Sequence, residues 1–376
     1  MSVIFYPWFF IGKQNMKRSV YFDYAASAIP DREVLELFMR ESMAHYANAE
    51  AVHALSYRAR RALKSAGERV SAALFNKNDF PVIWGNSATE LFRVLASCPD
   101  FRTSCASNLE HPALSANLKN FSSLQTFPVD RAGKPAVTAP ENPADLGCCF
   151  QVQSELGVIG DCAGFFSASN CRCRMIDAVQ AAGKMPLDKS GEVWVISGVK
   201  FGSPGGAAML LAPDGRFTEK ILKHAEVCRK SDYAVCRVSI PMMLSLSAAL
   251  EKAVAGMKEN FQKISAINRF LRHGCLELGM EATLPDGVQT SPYILNMLFP
   301  AQESAVVIRA LSERGVYAAS GSACSAESDR PSAALTALGF PAKKAYRALR
   351  LSFGAGNCME DAEIFLSELK TVLKNY

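Results

Sequence analysis

Two apolar runs in the middle of this chain each end in a residue able to do chemistry. Met175-Ile176 leads into Asp177, with Gln180 three residues on, and Val193-Trp194-Val195-Ile196 leads into Ser197-Gly198-Val199-Lys200. Short apolar runs bounded by turn residues read as buried strands. In α/β proteins, ligands bind beyond the carboxyl ends of such strands. An aspartate and a lysine at two of these ends can face one another across a crevice. There the amine can serve as nucleophile or proton carrier once its pKa is depressed. Either residue alone would read as a surface Asp in a turn or an exposed Lys. A third run, Val82-Ile83-Trp84, opens into the small polar turn Gly85-Asn86-Ser87-Ala88-Thr89-Glu90. Backbone N–H groups at the helix start there offer a phosphate site, although Ser87 or Asn86 would serve equally well as a plain cap.

The elements that position these residues follow from the alternation around them. Gly147-Cys148-Cys149-Phe150 and Ala208-Met209-Leu210-Leu211 add two more strand-like runs, and residues 32–46, 57–75 and 87–96 carry helical patterns. Strands alternating with helices predict an α/β fold with a mostly parallel sheet covered by helices on both faces. After Pro241 a long amphipathic helix is expected over residues 242–278, bridging two domains. The remainder, with a strand at 293–299 and helices at 304–314 and 359–373, reads as a smaller α+β unit. The expected division is a large domain over residues 31–257 and a small one formed by residues 1–30 with 258–376.

Composition narrows the classes. In 376 residues, 49% are hydrophobic and 20% charged, which is too apolar for disorder and too interrupted by charge for a membrane protein. The net charge of +5 is dispersed. Arg58, Arg60, Arg61 and Lys64 lie at helical spacing and read as a solvated face, so neither direct nucleic-acid binding nor a membrane is expected. The apolar segment 3–12 is too short to span a bilayer, which needs about 20 residues. It also lacks a basic leader and contains Pro7, unlike a targeting signal. Twelve cysteines are scattered without a Cys-x-x-Cys pair, and five histidines give no zinc set. No metal is expected, most thiols read as core filler, and the expected compartment is the reducing cytoplasm.

Taken in order, the motifs resemble those of the cysteine desulfurases, a branch of the fold-type I pyridoxal phosphate (PLP) enzymes related to class V aminotransferases. The resemblance rests on Tyr21-Phe22-Asp23-Tyr24-Ala25-Ala26-Ser27, Tyr46-Ala47-Asn48, Ala88-Thr89-Glu90, Glu110-His111-Pro112-Ala113 and Glu155-Leu156-Gly157. It continues through the Asp177/Gln180 pair, Ser197-Gly198-Val199-Lys200, Gly321-Ser322-Ala323-Cys324-Ser325 and Leu349-Arg350-Leu351-Ser352-Phe353-Gly354. Nearly the whole chain after residue 20 is covered.

The resemblance implies roles. Lys200 is the Schiff-base lysine, Asp177 pairs with the cofactor's ring nitrogen, and Gln180 hydrogen-bonds its phenolic oxygen. His111 lies over the ring and is the expected proton partner of a thiolate at Cys324. Backbone at Ala88 and Thr89, with the hydroxyls of Thr89 and Ser197, takes the phosphate. Ser239 adds a hydroxyl from a partner subunit, which implies a homodimer. Arg350 clamps the substrate carboxylate and Asn48 assists it. Cys324 accepts sulfur from L-cysteine, and its small neighbours Gly321, Ser322, Ala323 and Ser325 suit a loop that moves. The short run from Cys324 through Pro331 to Gly339 matches the branch serving iron–sulfur assembly and tRNA thiolation, so the expected acceptor is an iron–sulfur scaffold or a tRNA-thiolation protein.

Three places depart from that pattern. Val199 stands where the family has a phosphate-binding His, and Ser154 stands where it has an Asn near the ring oxygen. Residues 224–237 lack the family's glycine-rich stretch. Three competing readings stay open beside the desulfurase: a selenocysteine lyase, a class V aminotransferase with no need of Cys324, and a degenerate homologue acting as a non-catalytic sulfur-carrier scaffold.

Overall fold

The computed structural model describes residues 18–77, 81–138, 142–212, 215–231, 238–321 and 331–375. The apolar segment 3–12 and Cys324 lie outside the described residues. In chain order the elements are β1 (Val20–Tyr21), α1 (Arg32–Ala44), α2 (Ala54–Phe75), β2 (Val82–Gly85), α3 (Ala88–Ala96), β3 (Thr103–Ser107), α4 (Pro112–Leu118) and β4 (Ser123–Phe127). There follow β5 (Leu146–Phe150), α5 (Cys162–Ser169), β6 (Cys173–Asp177), β7 (Val193–Ser197), β8 (Ala208–Leu211) and α6 (Gly215–Ser231). The last third holds α7 (Ile240–Ala255), α8 (Met257–Glu277), β9 (Glu281–Ala282), β10 (Ile294–Leu298), α9 (Ser304–Ser312) and β11 (Val316–Tyr317). It ends with α10 (Ala333–Ala337), α11 (Ala342–Ala345), β12 (Ala348–Ser352) and α12 (Met359–Leu373).

Seven strands form one sheet in the order β2-β8-β7-β6-β5-β3-β4. Every pairing is parallel except the two made by β8. Alternate residues of a strand face opposite sides of the sheet. Accordingly Trp84, Cys149, Ile176, Trp194 and Ile196 pack with α2, α5 and α7 on one face. Ile83, Cys148, Met175, Val193 and Val195 pack with α3, α4 and α6 on the other. Coverage on both sides buries β5, β7 and β8 at every position. That double burial is why these strands read as unbroken apolar or small-residue runs. Eight of the ten described cysteines are buried, which fits core filling.

One expectation fails. Residues 242–278 form two helices, α7 and α8, bent by 69° at their junction. Gly256 closes the first by donating to the Lys252 carbonyl and opens the second by accepting from Asn260 N–H. Glycine's weak helical preference lets the chain turn there. After the bend α7 stays with the large sheet, while α8 joins a second core with β10, β12 and α12. No single helix among the described residues is long and apolar enough to cross a membrane.

The second core surrounds a three-stranded antiparallel sheet, β12-β10-β9, beside the parallel pair β1-β11. A bridge between Asp23 and Ser352 ties the segment after β1 to β12. This brings Asp23 and Arg350, far apart in sequence, to the edge of the large sheet.

Candidate active site

Five strand ends of the large sheet meet in one place. Ser87, Ala88 and Thr89 follow β2; His111 follows β3; Gln153 and Ser154 follow β5; Asp177 and Gln180 come from the end of β6; Ser197 and Lys200 come from the end of β7. With Ala25, Ala26 and Arg350 they line a cavity of about 250 Å³. Lys200, Asp177, Gln180, His111, Ala88, Thr89, Ser197, Ser154 and Arg350, all singled out from sequence, are thus together. Asn48 and Ser239 are not. Both are exposed and line a separate open depression of about 930 Å³ with Tyr46 and Pro241. The Asn48 side chain closes a local turn by accepting from Glu50 N–H (3.0 Å). The Ser239 hydroxyl leaves α7 uncapped.

Each group in the cavity has a defined state. Asp177 is 7% exposed, and burial pushes its carboxyl up to about 6. Among the described residues, its one hydrogen bond comes from Val179 N–H (3.0 Å). Such a carboxylate is stabilised by a cationic N–H brought into the cavity. Lys200, in the single 3₁₀ turn Gly198–Lys200 after β7, donates from Nζ to the Ala26 carbonyl (2.6 Å). Ala88 and Thr89 open α3, so their N–H groups have no acceptor within the helix. Ser87 is the cap, accepting from Glu90 N–H (3.1 Å), and Glu90 in turn accepts from Asn86 N–H (2.9 Å). The plain-cap reading of Ser87 therefore holds while the neighbouring N–H groups stay free for an anion. The Ser197 hydroxyl has no partner among the described residues.

His111 lines the same cavity. It caps α4, its Nδ1 accepting from Ala113 N–H (3.1 Å), which puts the proton of the neutral ring on Nε2. Burial, with the positive charges of Lys200 and Arg350, holds its pKa down at about 4. Near neutral pH a ring in that state is uncharged and presents an N–H donor. We expect ¹⁵N shifts of His111 to show the neutral Nε2–H form from pH 8 down to pH 5, with protonation only near pH 4. The unfolded ring takes its proton near pH 6.5, so this group's contribution to stability is present above that pH and is lost as pH falls through about 4. A His111 midpoint near 6.5 in the folded protein would contradict the assignment.

Arg350, in the middle of β12, is almost fully buried. Its Nη2 meets Asp23 Oδ1 at 2.8 Å and its Nη1 donates to the Ser154 carbonyl at 3.2 Å, while its Nε has no partner among the described residues. Sequence reasoning quoted Asp23 and Glu110 but gave neither a role. Glu110 is buried, with one oxygen accepting from Ser107 (2.9 Å) and the other unpartnered among the described residues. Burial pushes its carboxyl up to about 8. Its place directly before His111 was the available signal. Of the altered pair, Gln153 is structural: its Oε1 accepts from Glu155 and Leu156 N–H at 2.7 and 2.6 Å.

The donor set suits a phosphorylated pyridine aldehyde: free helix N–H groups with a hydroxyl, a buried carboxylate wanting a cationic N–H, and an amine at the neighbouring strand end. Comparison with known proteins agrees. The family model for class-V aminotransferases matches residues 20–365, and the chain belongs to that family. It is 26% identical to a cysteine desulfurase IscS of Clostridium botulinum, covering 96% of this chain and 95% of that protein. It is 24% identical to the cysteine desulfurase NifS of Azotobacter vinelandii, covering 94% and 92%. Among solved structures, a NifS-like protein aligns with a TM-score of 0.80 at 21% identity over 96% of this chain and all of its own. The cysteine desulfurase CsdA of Escherichia coli aligns at 0.71 and 18% identity over 95% of each chain. These likenesses establish the fold as that of the fold-type I PLP enzymes.

Proposed function

We propose that this chain is a PLP-dependent cysteine desulfurase that converts L-cysteine to L-alanine and leaves the sulfur as a persulfide on Cys324. The observation that carries this reading is the meeting of Lys200, Asp177, Gln180, Ala88, Thr89 and Arg350 in one cavity of a chain whose curated relatives are cysteine desulfurases. Bound there, PLP supplies an electron sink for bonds to the substrate's Cα. Lys200 would hold it covalently and serve as base. Asp177 would pair with its ring nitrogen, Gln180 and Ser154 would serve its ring oxygen, and Ala88, Thr89 and Ser197 would take its phosphate. Arg350 receives the substrate carboxylate through a bidentate guanidinium. The sulfur then passes from the substrate's Cβ to the Cys324 thiolate. One thiol and cysteine become one persulfide and alanine, so the step needs no external oxidant.

The reading extends to assembly and place. Exposed Met39, Met43 and Tyr46 recur along the end of α1 beside the depression that holds Asn48 and Ser239. An apolar face of this kind supports a homodimer in which Ser239 reaches the second copy's phosphate site. Division of the chain near residue 257 is supported by the helix break at Gly256. Ten free thiols among the described residues support a reducing cytoplasm, and the short Cys324–Gly339 run favours an iron–sulfur scaffold or a tRNA-thiolation protein as acceptor.

The test adds PLP and then L-cysteine with a dithiol reductant to the purified protein. We expect a visible absorption band and the release of alanine and, as the reductant cleaves the persulfide, of sulfide in equal amounts. Amino-group transfer to a keto acid without sulfide would favour an aminotransferase. Turnover confined to selenocysteine would favour a lyase.

A further inference from the structure

Lys184 is a buried lysine outside the cavity. It is 5% exposed, and among the described residues no carboxylate pairs with it. It belongs instead to a second pocket of about 600 Å³, floored by Tyr24, Tyr293 and Gly354, behind the wall that Gln180 forms. What turns it inward is Gly183, whose φ of +71° sits in the left-handed region. A Cβ there would come within 2.7 Å of the Ala253 side chain on α7. From that turn Lys184 Nζ donates to Gln180 Oε1 at 3.1 Å, and Gln180 Nε2 donates to the Ala25 carbonyl at 2.9 Å. Both neighbours favour the same amide orientation: the Ala25 carbonyl can only accept, and Lys184 can only donate while it is charged. The donor Gln180 has left for the cavity is its second Nε2 hydrogen, beside one remaining lone pair on Oε1.

We infer that Lys184 is a positioning residue, which locks the Gln180 amide so that it offers an N–H to the ring oxygen of the bound cofactor. The inference rests on the cofactor reading above. Burial beside the positive charges of Lys200 and Arg350 holds the amine's pKa down at about 7, so the lock is held against an unfavourable desolvation. A structural support would hardly be built that way, since an apolar side chain of the same length fills the space without that penalty.

The experiment titrates the visible band of the PLP-loaded protein with pH. The ring oxygen is more negative once the neighbouring nitrogen has lost its proton, so a donor to that oxygen favours the deprotonated form and lowers the midpoint. Lys184→Met should therefore raise the midpoint by about one pH unit, the equivalent of one hydrogen bond to a charged group. In a Gln180→Leu background the same change should move it little, because the lock has nothing left to hold. Melting of the cofactor-free Lys184→Met protein should be unchanged or higher. A midpoint that ignores Lys184→Met, or that moves equally without Gln180, overturns the role of Lys184 while leaving the cofactor reading intact. A parent with no PLP band overturns both.

Discussion

Lys200→Ala protein loses the visible band that borohydride bleaches in the parent, and its turnover of cysteine falls on the order of 10³-fold or more. The expectation follows from position. Lys200 sits at the close of β7 with its amine lodged on the Ala26 carbonyl, in the cavity that Asp177 also enters. Alanine removes the only lysine that lines that cavity among the described residues. Lys184, the other buried amine nearby, is held behind Gln180 and cannot substitute without breaking that contact. Mass spectrometry after borohydride reduction is the decisive check, since cofactor mass fixed on any other lysine refutes the assignment.

Cys324→Ser should abolish alanine and sulfide release while leaving the visible band in place, again a loss on the order of 10³-fold or more, because a hydroxyl is too weak a nucleophile to replace a thiolate. Incubation of the parent with cysteine, without reductant, should add one sulfur atom at Cys324 alone among the twelve cysteines. Eight of the others are buried, and burial pushes thiols such as Cys148 and Cys275 away from the reactive thiolate form. Cys171 is the nearest rival, since a hydrogen bond from Cys105 holds it down at about 7. It lies just after α5, however, and does not line the cavity. Sulfur found on Cys171 or elsewhere, with a fully active Cys324→Ser protein, would move the weight to the aminotransferase reading.

Much of the frame was legible because burial on both faces writes itself into sequence. The β5, β7 and β8 runs are apolar or small at every position, and α12 runs from Met359 to Leu373 as its pattern predicts. Strands β3 and β4 were not legible. The first is built of Thr, Ser, Cys and Ala, and the second is an edge strand with only Phe127 fully buried, so neither offers the apolar run that marks a strand. The 242–278 pattern hid its bend because α7 and α8 each carry an apolar stripe and one glycine is a weak signal. In the site, Asp177 and Lys200 were readable from the strands they end. Lys184 was not, because a lysine after glycine looks like an exposed turn until α7 closes over it. Nor could sequence show that Asp23 is the partner of Arg350, 327 residues away.

That pairing sets a rule of charge for whatever enters. Arg350 and Asp23 together are neutral, and the guanidinium is almost wholly out of water. A ligand carrying a carboxylate alone would leave Asp23 deprived of its cation, and an amine alone would leave Arg350 without an anion. If Arg350 takes the substrate carboxylate, that carboxylate has to replace Asp23 on the guanidinium, so binding there is an exchange of one anion for another and not capture on a bare cation.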